Sequence, residues 1–362
     1  MRRRLRAAVG KGGEPAWARR EAEAAEIEAH RRGFEDAGWS YLYGEDTAYG
    51  SESADDAKTA AAAGRARSGQ TPERVMGPMM KPAVWTWEVP LYFWTGGIAA
   101  GSGFVALACD MAGDHRSAAT ARKVSLAALA PGPLLLISDL GRPERFLNML
   151  RVFKPRSPMS MGAWCLTLYG NLIAAAVGAD LLDRGRAARA LGGAAAVAGA
   201  YVGSYTGVLL ASTAVPVWAR SRLFLGPIFV STATATGAAA SRLALVATGL
   251  PEGHPTRIAL GRVETGAIAT ELVLSQINER RLGPPAGALE RGHAGRLFRG
   301  AKWAVRAGLA LRLARGRLGP GSHHVASGLF LGAGLAFRYA WVAAGRGSAT
   351  DDRAVAETAR GL

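Results

Sequence analysis

The chain has 362 residues, of which 49% are hydrophobic and 20% charged, with a formal net charge of +16. Apolar runs of about 20 residues, the length that crosses a hydrocarbon core of about 30 Å, recur from residue 85 onward, which excludes a soluble enzyme built on one core. The basic residues sit mainly between those runs, where membrane topology places them, so the charge points to lipid and not to nucleic acid.

Residues 1–82 form a polar extension containing MRRRLR, an acidic–basic stretch (EPAWARREAEAAEIEAHRRGF) and a small-residue tract (ADDAKTAAAAGRARSGQ). Its arginines are followed by no apolar core, so it does not read as a secretory signal peptide. One amphipathic helix is expected in its middle and flexible chain elsewhere. The remainder reads as an all-α, polytopic membrane protein. About eight spans form two four-helix bundles, residues 83–213 and 214–345, with a polar tail at 346–362.

The first span, about 90–109, follows WTWEVPLYFWTGGIAAGS. Glu88, Tyr92 and Gly96 recur every four residues and share one helical face. Gly97 and Gly101 have the GxxxG spacing that lets a second helix backbone approach closely. A carboxylate at this depth faces a cavity or a proton path, or else snorkels to the interface. The second span, about 124–138, is short and contains Pro131 and Pro133. It leads into ISDLGRPERFLNMLRVFKPRSPMSMGAW, where Asp139 ends the apolar run, Pro143 breaks the helix, and PERFLNMLRVF makes a short amphipathic helix at the interface. Asp139 either supplies protons or caps that helix. Arg142 and Arg145 either orient it or meet lipid phosphate. The third span, about 160–182, starts from SPMSMGAW, and the fourth, about 190–213, contains SYTGVLLASTAVPVW with Tyr205 two residues before Gly207.

TGGIAAGS, the Asp139 loop, SPMSMGAW and the Tyr205 segment together resemble the NrfD family, the membrane-anchor subunits related to polysulfide reductase. The resemblance spans about residues 83–345. It implies a haem-free anchor that exchanges electrons between a menaquinone or ubiquinone pool and a four-cluster iron–sulfur subunit, usually paired with a molybdopterin catalytic subunit. It also implies a quinone site within the first bundle, near the face that meets the iron–sulfur partner. Tyr92 falls where the family places a polar quinone contact, a histidine in some members, and Tyr205 matches a tyrosine that hydrogen-bonds a quinone carbonyl. The chemistry agrees. A phenol is a neutral donor, less costly to bury than a charge, and Asp139 and Glu88 are the nearest candidate proton-transfer groups.

The fifth span is about 223–248. The sixth, about 258–277, is polar for a span, and its Glu264 and Glu271 lie two turns apart on one face. They read either as a proton relay or as the polar face of a helix paired with Arg262, Arg306 or Arg338. The seventh, about 298–316, is interrupted by Lys302, Arg306, Arg312 and Arg315, while the eighth, about 322–344, carries only Arg338. An even number of spans puts both termini on one side. The loops on that side hold thirteen basic residues against eleven opposite, and the basic N-terminal tail adds to the bias, so cytoplasmic termini in a bacterial plasma membrane are expected.

Two cysteines, Cys109 and Cys165, are too few for a cubane cluster, there is no CxxCH, and the six histidines lie in polar segments or at a span edge. No haem, iron–sulfur cluster or metal site is therefore expected in this chain. Three function classes compete: the quinone-reactive anchor, a structural anchor without quinone chemistry, and a carboxylate-using transporter. A transporter predicts two similar halves, and no internal repeat is visible.

Overall fold

The computed structural model describes residues 80–140, 146–319 and 321–359. Arg142 and Arg145, and the helix expected within residues 1–82, lie outside the described residues. Two compact units are distinguished. The smaller, among described residues, comprises 80–84 and 349–359. It contains one short helix, Asp352–Ala359, whose Ala354 N–H donates to the Asp351 carboxylate at 3.1 Å.

The larger unit, residues 85–348, carries the membrane helices. In chain order these are α1 (Glu88–Met111), α2 (His115–Leu129), α3 (Pro131–Asp139), α4 (Phe146–Arg151), α5 (Pro158–Leu181), α6 (Gly185–Ala211), α7 (Pro216–Arg220), α8 (Arg222–Ala247), α9 (Pro255–Leu282), α10 (Gly287–Glu290), α11 (Gly292–Leu313), α12 (Arg315–Leu318) and α13 (Gly321–Ala349). Five of them, α1, α5, α6, α8 and α13, are long and apolar enough to cross a membrane. The α2–α3 pair, α9 and α11 complete eight long helical passages among the described residues. The face where α1 begins is called the entry face below, and the one where it ends the exit face.

Local sequence sets the helix ends. Asp114 caps α2, accepting from the Ser117 N–H at 3.1 Å, and Ser157 caps α5, accepting from Ser160 N–H. Pro158, Pro216 and Pro255 open α5, α7 and α9, where a missing N–H costs nothing. The expected amphipathic interfacial helix is α4, though only one and a half turns of it are described.

Helix association in lipid has no hydrophobic drive of its own and rests on close packing and polar bonds. Both devices are present. In the first bundle Ala99 and Ala100 of α1, Leu129 of α2, Tyr169 and Ile173 of α5, and Ala195 and Val202 of α6 share one core. The Tyr169 hydroxyl lies 2.6 Å from the Ala99 carbonyl and 2.7 Å from Ser125 Oγ, tying α5 to α1 and α2. In the second bundle Ala235 of α8, Ile268 of α9, Val305 of α11 and Phe330 of α13 do the same. The bundles meet where α1 crosses α8. A Cβ on Gly101 would come under 3.0 Å from the Ala233 carbonyl, and one on Gly237 would strike the Gly101 backbone. The GxxxG spacing thus serves a helix crossing. Leu134, Leu168, Val197, Leu223 and Val273 stay exposed, as lipid-facing positions do.

The bounds of several expected spans change, and in three of them charged residues are the reason. The second starts nine residues earlier, at His115, because Arg122 does not end it. Arg122 is buried and salt-bridged to Asp110 at 2.5 Å and Asp180 at 2.6 Å, which lets a polar turn enter the bundle. The sixth runs three residues further out at one end and five at the other, as α9. The seventh is uninterrupted from Gly292 to Leu313, because its cations are compensated. Lys302 pairs with Glu279 at 2.5 Å, Arg312 pairs with Glu264, and Arg306 lies over the Trp303 ring. Arg338 of α13 is buried over the Phe229 ring, 3.7 Å from its centroid.

Candidate functional site

Tyr205 occupies one well-defined seat. It lies in the entry-face half of α6, almost fully buried, and stacks on Tyr201 one turn earlier at 5.9 Å and 24°. Its ring rests against Gly162 of α5, where any side chain would overlap it. Two residues on, Gly207 lies against the Leu225 backbone of α8, again with no room for a Cβ. The Tyr-x-Gly pattern therefore has two jobs. The tyrosine fills a notch cut into α5 by the glycine of SPMSMGAW, and the glycine lets α8 close in behind.

Tyr92, on α1, is buried and packs on Gly132, whose Cβ position lies 3.6 Å from its ring. Tyr205 is near enough to interact with it electrostatically. Helices α3, α4 and α5 border an apolar cavity of about 240 Å³. It is bounded by Pro133 and Leu136 of α3, by Ala163 and Leu166 of α5, and by Phe146 and Met149 of α4. Pro133 adjoins Gly132 and Ala163 adjoins Gly162, so each tyrosine seat is next to a lining residue, although neither tyrosine lines the cavity itself.

Asp139 and Glu88 converge at the entry face. Asp139 ends α3, half-buried, and its electrostatic neighbours are Glu88 and Arg346, with Thr86 as backbone hydrogen-bond partner. Its place is the C-terminus of α3. Glu88 begins α1 and accepts from the Thr86 hydroxyl. Arg346 donates to the Trp85 carbonyl and Tyr339 to the Trp87 carbonyl at 2.9 Å, so α13 supplies two groups to this cluster. Neither Arg346 nor Tyr339 carries a local sequence signal; only the return of the last helix to α1 puts them there.

Glu264 and Glu271 lie elsewhere, both buried in the second bundle. Glu264 pairs with Arg312, accepts from Ser327 at 2.9 Å, and is near Arg242. Glu271 accepts from Ser275 at 2.7 Å and has Lys302 and Arg338 nearby. Of the pairings expected for this helix face, Arg338 is found near Glu271, while Glu264 takes Arg312, a residue read from sequence only as an interruption.

A family model described as polysulphide reductase, NrfD, matches residues 77–276, more than half of the chain, and that segment contains every candidate residue named above up to Glu271. No curated protein matches the chain.

Proposed function

The chain belongs to the polysulphide reductase NrfD family, and from that premise we propose that it is the haem-free, quinone-reactive membrane subunit of a multisubunit oxidoreductase. In this reading it exchanges electrons between a menaquinone or ubiquinone pool and a four-cluster iron–sulfur subunit, itself joined to a molybdopterin catalytic subunit. The complex sits in a bacterial plasma membrane with both termini, and hence the entry face, on the cytoplasmic side.

What supports the proposal, beside the family match, is the pair of buried tyrosines, each seated on a glycine that adjoins a lining residue of one apolar cavity. A quinone fits that set: two neutral donors suit its carbonyl oxygens, and a greasy slot suits its ring and tail. When bound, a quinone supplies a carrier of two electrons and two protons. Tyr205, held by Gly162 and Tyr201, presents its O–H from a fixed direction and loses little freedom on binding. Tyr92 presents a second O–H from α1. The Asp139 and Glu88 carboxylates hold and pass protons between the slot and the entry face. Leu136, Phe146 and Met149 keep bulk water out.

Replacing Tyr205 by Phe in the assembled complex tests the reading. The expected result is a fall of about tenfold or more in quinone turnover, with assembly and thermal midpoint retained. Unchanged turnover at full assembly would leave a structural anchor without quinone chemistry.

A further inference from the structure

A cavity of about 550 Å³ belongs to the second bundle at the exit face, away from the tyrosines. Arg242 of α8, Arg257 and Arg262 of α9, and Arg312 of α11 all line it. Three of these guanidinium groups are more than nine-tenths buried: Arg242, Arg257 and Arg312 are 3%, 7% and 9% exposed. Among the described residues, the carboxylates that the printed contacts place here are Glu252 on the lining and Glu264 behind Arg312. Buried cations in a membrane bundle are costly unless compensated, and among the described residues that line this cavity guanidinium groups outnumber carboxylates.

The protein fixes these cations instead of letting them reach water. Arg312 donates to the Gly261 carbonyl at 3.0 Å and to Ser327 Oγ at 3.2 Å as well as to Glu264. Arg242 donates to the same Ser327 Oγ and to the His323 carbonyl, both at 3.1 Å. Arg257 donates to the Leu250 carbonyl at 2.5 Å. The Nε–H groups of Arg257 and Arg312 are buried and donate to no described acceptor. Exposed Ile258 and Leu313 form an apolar lip beside the charged floor.

We propose that this cavity binds a phosphate-bearing anion, from a phospholipid headgroup or from free phosphate. A tetrahedral oxyanion carries the charge that balances the excess, and guanidinium forks match its oxygens. Basic pockets between membrane helices suit anionic headgroups, and the apolar lip offers a surface for an acyl chain. The site is separate from the tyrosine cavity, so it does not depend on the quinone reading.

The test uses the full-length chain purified in a neutral detergent, titrated with inorganic phosphate or with phosphatidylglycerol, and with potassium chloride at matched ionic strength. A saturable rise in thermal midpoint with phosphatidylglycerol alone identifies a lipid headgroup. A rise with both probes shows that the phosphate group suffices. In either case the half-saturating concentration should increase about tenfold or more in Arg257→Gln, the loss of one charged hydrogen-bond donor. Arg262 is exposed, so Arg262→Gln should fold as wild type and weaken the same response in the same direction. The proposal is overturned if neither probe raises the midpoint beyond the chloride control, or if both variants respond as wild type does.

Discussion

Replacing Gly162 by Ala is the most local test of how Tyr205 is seated. A Cβ at residue 162 would lie under 3.0 Å from the Cζ, Cε2 and hydroxyl oxygen of Tyr205. Carbon atoms pack at about 3.5–4.0 Å, so the ring has to withdraw by more than about 1 Å. It is held from behind by Tyr201 and, two residues on, by the Gly207–Leu225 contact, so the helix cannot simply slide. Overpacking of this kind costs about 1–3 kcal/mol. That corresponds to a fall of roughly 1–4 °C in the thermal midpoint of the purified chain. The displaced hydroxyl should also lower quinone turnover in the assembled complex. A companion variant, Tyr205→Leu, removes the ring, and the Gly162→Ala change made on that background should cost much less, a non-additivity that measures the contact directly. Equal costs on both backgrounds, or an alanine variant with wild-type midpoint and turnover, would refute the packing argument.

Three further variants probe the ion pairs and caps. Glu264→Gln leaves Arg312 buried without its carboxylate and should destabilise by about 3–5 kcal/mol, with part of the loss recovered in the Glu264→Gln, Arg312→Gln double variant; thermal midpoints in detergent report both. Asp114, in the loop between α1 and α2, is pushed up by burial but held below its usual carboxylate range overall by hydrogen bonds from Ser117 and Thr256. The folded chain therefore binds this proton less readily than the unfolded chain. Asp114 accordingly stabilises above about pH 4, and its contribution fades as pH falls through the depressed value. Asp114→Asn should flatten the acid limb of the midpoint-against-pH curve by about 1 kcal/mol or less, and an unchanged limb would contradict the assignment.

Periodicity and hydropathy reveal the apolar helices α1, α5, α6, α8 and α13 readily, because lipid-facing residues such as Leu168 and Val197 need no partner to explain them. Charged helices are harder to read. Arg122 and Arg312 look like breaks in a span until their partners are known, and Asp180 and Glu264 among those partners lie 58 and 48 residues away in sequence. The candidate site divides the same way. Asp139, Glu88, Tyr92 and Tyr205 announce themselves as polar groups in apolar runs. Gly162 does not, since a lone glycine at a helix start is unremarkable until Tyr205 folds onto it. Arg346 and Tyr339 were equally silent, because their relation to Glu88 and Asp139 exists only once α13 returns to α1.

The central claim concerns where a quinone binds, so the direct measurement is covalent labelling of the full-length chain in its membrane with a photoreactive quinone, followed by peptide mapping. The account predicts label on α3, α5 and α6, around residues 131–139, 158–171 and 201–207, suppressed by excess unlabelled quinone and diminished in Tyr205→Phe. Label confined to α9, α11 or α13, or none that quinone displaces, would contradict it.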